Sequence, residues 1–513
     1  MYLVLTASKD TYITNKIMDG AFRAEDANVG RAGTLDLFKL YSESTLSGTD
    51  NPIEISRALV QFDLYRVREL TSSILDITSP TFKCTLKMKN IAAGQAVPSN
   101  FNLILHPLSQ SWDEGIGRDV VSFGDLDVAN FVTASYSGGT VYPWNTTGAD
   151  SSGLLGSDNL DIIESGTVGS GVENLFVTQW FDTGIEDLTM DVTKIVSATI
   201  TNQLPDKGWR LAFSGSEETD DKTRFVKRFS SRHSANRYNQ PMLHVSFDDT
   251  LHDHHNSFFF DATGTLFLNN YKRGASSNIL SGSSLTPLVG TNCLHLLLKT
   301  GSYSLTVSAS MHTGSTSGDG TDGVYSASFC IPFSDNTVVD GGSTVHHFAV
   351  NSGSLTFDTI WSSVDETVGF LSSSLKIMSP VRTSGNFVSR KPSLRVTNLV
   401  TSYRHDAIAK LRIFGRDLNN DRLTSSKKPY SRDSVVFDEI YYRVRDVNSG
   451  DIMIPFERNK NGTRISSDKE GMFFELRMNN LFAGRTYKFE FLVIDRGVET
   501  IIEDAGTRFR VDG

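Results

Sequence analysis

The chain has 513 residues, 39% hydrophobic and 21% charged, with a net charge of −10. That length exceeds what one core organises and predicts about two to four domains. The acidic balance argues against general nucleic-acid binding, which needs basic surface to displace counterions, and three cysteines exclude a disulfide framework.

From the start to about residue 249 the pattern is β-rich. Tyr2-Leu3-Val4-Leu5 opens as a strand, and a polar stretch with Gly20, Asn28, Gly30 and Gly33 as turn formers follows. Leu35 to Leu40 is the next strand. In Arg57-Ala58-Leu59-Val60-Gln61-Phe62-Asp63-Leu64, Ala58, Val60, Phe62 and Leu64 share one face. Arg57, Gln61 and Asp63 share the other, with Leu59 among them. Side chains alternate along a strand, so this predicts a sheet with one face in a core. Burial is then the expected role of Phe62, and Arg57 and Asp63 are expected to satisfy local backbone or each other. Phe82, Cys84, Leu86 and Met88 repeat the alternation, which makes Cys84 a buried small hydrophobe. Phe101 to Leu105 does the same. Met190 to Ala198 is predicted as a short helix with Asp191 as its cap. Trp209 to Phe213 and Pro241 to Phe247 return to strand.

A boundary is placed near residues 248–255. Residues 250–390 are Ser/Gly/Thr-rich with short apolar runs, among them Leu294 to Leu298, Tyr303 to Val307, Ala327 to Phe333 and Leu371 to Met378. Such punctuation predicts an all-β domain. Residues 391–513 carry more charge. Here Leu481, Gly484 and Tyr487 precede an alternating strand in which Tyr487, Phe489, Phe491 and Val493 share a face. The spacing resembles the tyrosine corner of immunoglobulin- and fibronectin-like sandwiches, without the Cys…Trp…Cys pattern of true immunoglobulin domains. The predicted class is all-β: tandem β-sandwiches, jelly-roll-like and then immunoglobulin/fibronectin-like, with a few short helices.

In order, residues 1–249 carry Asn28-Val29-Gly30, Arg57 to Leu64, Trp112-Asp113-Glu114, Met190-Asp191-Val192-Thr193 with Ile195-Val196, Phe229-Ser230-Ser231-Arg232, and Pro241 to Val245. This series resembles the DNRLRE family of β-sandwich modules, which is grouped with carbohydrate-binding modules. The resemblance implies a sandwich fold and a binding role for the first half of the chain. The departure is a Gly/Ser/Asp-rich insert, Tyr136 to Ser170, of a length that is usually functional or a contact arm.

Candidate chemistry is sparse. His252, His254 and His255 lack the spacing of a structural zinc site and read as a solvated linker. Asp113 and Glu114 are adjacent, so on a strand they point to opposite faces and cannot flank one glycosidic bond; Trp112 beside them reads as a loop anchor. Asp417 to Asp421 opens like a calcium loop, but Arg422 and Lys428 stand where glycine and glutamate are needed; Asp319 to Gly323 reads as a turn. Arg224, Lys227, Arg228, Arg232 and Arg237, interleaved with Phe225, Phe229 and Tyr238, read as a solvated strand face. No nucleophile elbow, metalloprotease or phosphate-loop motif occurs. No catalytic residue, metal or cofactor is therefore assigned, and the protein is not expected to be an enzyme.

Tyr136, Tyr142 and Trp144, in or beside the insert, are the expected contact residues, for a protein partner or for a glycan. Met1 to Thr6 lacks the features of a signal peptide, and no apolar run is long enough to span a bilayer. Free thiols, all-β modules and the absence of a catalytic constellation lead to one expectation. The chain is a structural component of a tailed-bacteriophage virion, assembled in the host cytoplasm, at the tail, neck or baseplate. It would bind other virion proteins as an oligomer within a symmetric assembly. The alternative expectation is a carbohydrate-binding adhesin module for attachment to the host surface.

Overall fold

The computed structural model describes residues 1–513 except 72–73, 93, 95, 170, 256, 274, 282–284, 313–322, 381–389, 420–433, 496 and 504–507. The calcium-like readings at Asp319 to Asp322 and at Asp421, Arg422 and Lys428 lie outside the described residues. The fold is all-β with short helices, and the chain forms two compact units. One comprises residues 3–68 and 83–245; the other comprises residues 1–2, 69–82 and 246–513. No helix among the described residues is long and apolar enough to cross a membrane.

The unit of residues 3–68 and 83–245 is built on a ten-stranded sheet. Its strands run in the order Val177–Phe181, Phe101–Pro107, Trp209–Phe213, Ile53–Phe62, Tyr2–Thr14, Met242–Ser246, Lys83–Met88 and Leu188–Asp191. Thr34–Tyr41 branches off Ile53–Phe62 and pairs in turn with Arg224–Ser230. The strand Ile53–Phe62 sits at the centre of the path, and here the sequence expectation needs correction. Arg57, Ala58, Leu59 and Val60 are all buried, at 3%, 1%, 0% and 1% exposure. Both faces of the strand are covered, because the chain between Leu108 and Ile162 folds over the second one. Leu59 packs there with Ile13, Trp112, Ala134, Trp144 and Ile162. On the first face Phe62 lies 5.4 Å from the Trp209 ring.

The expected helix runs Thr193–Ile200, with Ile195, Val196, Ala198 and Ile200 buried. Val192, not Asp191, occupies its N-cap position; Asp191 Oδ1 instead accepts from the backbone N–H and the hydroxyl of Thr193. Tyr65–Thr71 and Val345–Asn351 are helices that periodicity did not predict. Asp63 Oδ1 accepts from Tyr65 N–H at the start of the first, and Thr344 caps the second through His347 N–H. Cys84 is 0% exposed, and burial pushes its thiol well above the usual range.

In the other unit, residues 258–378 form a seven-stranded sheet whose core gathers Leu296, Leu298, Tyr325, Phe357, Trp361 and Ile377. Residues 392–512 form a four-stranded and a six-stranded sheet. These two pack face to face: Phe474 of the first stacks on Tyr442 of the second at 4.4 Å and meets Phe489 edge-on at 5.4 Å. That is a β-sandwich. Its tyrosine corner is complete. Tyr487, 0% exposed, donates its hydroxyl to the Phe482 carbonyl at 3.0 Å and accepts from Phe482 N–H at 2.8 Å.

His252, His254 and His255 are not a solvated linker. His252 joins the strand Ser466–Asp468 through a bridge to Ser467, and its ring stands 4.5 Å from that of His254. Burial lowers the His252 pKa to about 4.

Candidate contact arm and acid cluster

The insert is a folded arm with a fixed base and a free tip. Asp161, 0% exposed, fixes the base. Its carboxylate accepts from the backbone N–H groups of Asn145, Thr146 and Ser151 at 2.8, 2.9 and 3.0 Å. The side-chain amides of Gln110 and Asn145 donate to it at 2.9 and 3.1 Å. Two buried arginines from the sheet hold the next turn. Arg57 donates to the Gly148 carbonyl at 2.7 Å, and Arg210 to the Ala149 carbonyl at 3.0 Å and the Asp150 carboxylate at 2.9 Å. Burial works against the Arg57 charge, but Glu218, gripping it through Nε and Nη2 at 3.1 and 2.6 Å, and Asp150 outweigh it and raise its pKa. Arg57 therefore pairs with Glu218 and Asp150, not with Asp63.

Trp144, expected among the contact residues, is only 4% exposed. It packs in the cluster under the arm and donates its indole N–H to the Asn130 carbonyl at 2.9 Å. Trp112 is 1% exposed and donates to the Lys207 carbonyl. Tyr136 and Tyr142 do reach the surface. Tyr136 pairs with Val141 across the hairpin of Thr133–Ser137 and Thr140–Pro143, each at 42% exposure, and Tyr142, opposite Ser135, is 49% exposed. An aromatic and aliphatic tip on a fixed base is a preorganised contact surface: little side-chain or loop freedom remains to be lost on docking.

Three of the segments quoted for the family resemblance, at Asn28, Glu114 and Arg232, meet within the same unit. Asn28, fully buried, donates to the Glu114 and Ala129 carbonyls and accepts from Gly117 N–H. Gly30 fits because a Cβ there would lie 1.9 Å from the Glu114 carbonyl oxygen. Glu114 forms a two-point ion pair with Arg232, at 2.6 and 2.7 Å, and accepts from Asp10 N–H at 2.8 Å. Asp10 and His233 complete the cluster. Burial, opposed by the Arg232 N–H bond and reinforced by Glu114, pushes the Asp10 carboxyl up to about 7. Asp113 faces elsewhere and accepts from Tyr136 N–H. Sequence reasoning missed this assembly because its members are scattered along the chain; only the Trp-x-Glu and Ser-Arg pairs hinted at it.

Most of the basic run is neutralised from within rather than solvated, although Arg237 is exposed. Arg224 pairs with Asp220 and Arg228 with Asp36. Lys227 is fully buried, donating to Asn90, Gly184 and Glu186, and burial lowers its pKa to about 8. Beside the Asp36–Arg228 pair lies an open groove of about 460 Å³, lined by Tyr12, Lys16, Phe38 and the half-exposed Phe225 among others.

No family model and no curated protein matches the chain. Among solved structures, the fibronectin(III)-like modules of Clostridium thermocellum CbhA align at 8% identity and TM-score 0.13, covering 51% of this chain and 90% of theirs. The N-terminal Ig1-2 module of the Drosophila receptor protein tyrosine phosphatase DLAR aligns at 9% identity and TM-score 0.13, covering 49% and 91%. Dimeric latent PorU from Porphyromonas gingivalis aligns at 9% and 0.14, covering 94% and 34%. Likeness at this level carries no argument; the sandwich stands on the sheet packing and the tyrosine corner.

Proposed function

We propose that the protein is a non-catalytic structural component of a bacteriophage particle, associated with the tail, neck or baseplate, that works through protein–protein contacts in a symmetric assembly. The carrying observation is the arm: Tyr136, Val141 and Tyr142 stand exposed on a hairpin whose base is locked by Asp161, Arg57 and Arg210. Repetition of such a contact by symmetry turns a small patch into firm attachment. Mass spectrometry of purified particles should find this chain. The Tyr136→Ser/Tyr142→Ser variant should fail to incorporate while its melting temperature stays at the wild-type value. Particles that lack the chain would sink the reading, and normal incorporation of the variant would remove the arm from it.

The groove beside Phe225 favours a second reading, a carbohydrate-binding module for attachment to the host surface, in keeping with the family resemblance. Aromatic rings next to a fixed donor–acceptor pair, here Arg228 and Asp36, suit a sugar ring. A glycan array probed with the full chain tests this reading. Binding that Phe225→Ala abolishes supports it, and an array without hits ends it.

A further inference from the structure

We propose that Asp10, Glu114 and His233 form a binding site for a divalent transition-metal ion of the zinc class. One donor atom from each of the three lies within 4.8 Å of the others. An ion with bonds of about 2.0–2.2 Å draws such atoms in by small side-chain rotations. Proximity of acidic groups would not be enough. The second observation is Asp10 itself: it is 1% exposed, its Oδ2 accepts from Arg232 N–H at 2.5 Å, and its buried Oδ1 has no hydrogen-bond partner. A buried carboxylate oxygen with no partner is costly, and a cation relieves that cost.

The donor set selects the ion. Two carboxylates with an imidazole suit zinc, a borderline ion, better than calcium or magnesium, which prefer oxygen alone. Arg232 acts as a positioning residue. Its guanidinium holds both oxygens of Glu114, as outer partners commonly fix a metal-binding carboxylate. It also offsets one of the two carboxylate charges, so affinity should fall well below that of cysteine-rich sites. Water would fill the positions that three protein donors leave open. His252 and His254, whose rings stand 4.5 Å apart, are already engaged: His252 Nδ1 with the Ser467 hydroxyl and His254 Nδ1 with Thr265 N–H.

The full chain, stripped with a chelator, is titrated with zinc chloride by calorimetry, with magnesium and calcium chlorides as comparators. The expected result is one saturable zinc site per chain with micromolar affinity and no comparable uptake of calcium or magnesium. His233→Ala, at a partly exposed position, should weaken zinc binding at least tenfold without moving the metal-free melting temperature. His252→Ala should leave zinc binding unchanged. Cobalt(II) added to the stripped protein should develop visible absorption that both His233→Ala and Asp10→Asn remove. No saturable zinc binding, equal binding of calcium, or binding that survives His233→Ala and disappears in His252→Ala would overturn the proposal.

Discussion

Replacing Asp161 by alanine tests how the arm is held. The substitution removes the acceptor of three backbone N–H groups, from Asn145, Thr146 and Ser151, and of two side-chain amides. A hydrogen bond to a charged acceptor contributes about 1.5–3 kcal/mol; with the three amides only partly buried and water replacing part of the loss, together they cost about 3 kcal/mol at the lower end. The arm can open locally, and the loss should appear there first rather than as global unfolding. About 3 kcal/mol corresponds to roughly a hundredfold fall in protection. Hydrogen exchange resolved at the amides of Asn145, Thr146 and Ser151 reads this directly, with strands such as Trp209–Phe213 as an internal reference. Asp161→Asn keeps one acceptor oxygen but turns an amide toward former donors, and should lose an intermediate amount. If protection of those three amides in Asp161→Ala stays within about threefold of wild type, a change of well under 1 kcal/mol, the carboxylate is not what holds the arm.

Other expectations follow from the same geometry. Phe62→Ala, at a 3% exposed position against Trp209, should cost about 3–5 kcal/mol in denaturant melts; a loss under about 1 kcal/mol would place that face in solvent. Tyr487→Phe removes the hydroxyl that serves both backbone groups of Phe482 and should cost about 1–3 kcal/mol; an unchanged melting curve would deny the corner a structural role. In metal-free protein, the Asp10 carboxyl is raised to about 7 from its usual 3.8, chiefly by burial. The folded state then holds the proton more tightly than the unfolded state. Its stabilising contribution is complete below the unfolded value and is lost as pH rises through about 7. Asp10→Asn should abolish this decline between about pH 4 and pH 7, by a few kcal/mol; parallel pH–stability curves for the two proteins would contradict the assignment.

The strands were legible because their evidence is local. Alternating apolar residues at Cys84 and from Phe101 to Leu105 fix which side of a strand is buried, and the Leu481–Gly484–Tyr487 spacing carries a hydrogen bond only five residues long. The helix at Thr193–Ile200 was visible for the same reason, though Val192 took the cap position because Asp191 is still in the strand. Leu59 was misleading, since alternation tells which residues share a face but not whether a distant segment covers it. Trp144 illustrates the same gap: an aromatic in a polar loop reads as a contact residue until Asn130 and the Leu59 cluster bury it.

By itself, then, the sequence determined an all-β chain, many of its strands, and the tyrosine corner. Only the tertiary structure decided that the insert is pinned at Asp161 and free at Tyr136 and Tyr142, and that Asp10, Glu114 and His233 meet. The physical reason is separation along the chain. Arg232 N–H reaches Asp10 across 222 residues, and its guanidinium reaches Glu114 across 118. No local propensity encodes such pairings; they exist once the sheet has set its strand order and register.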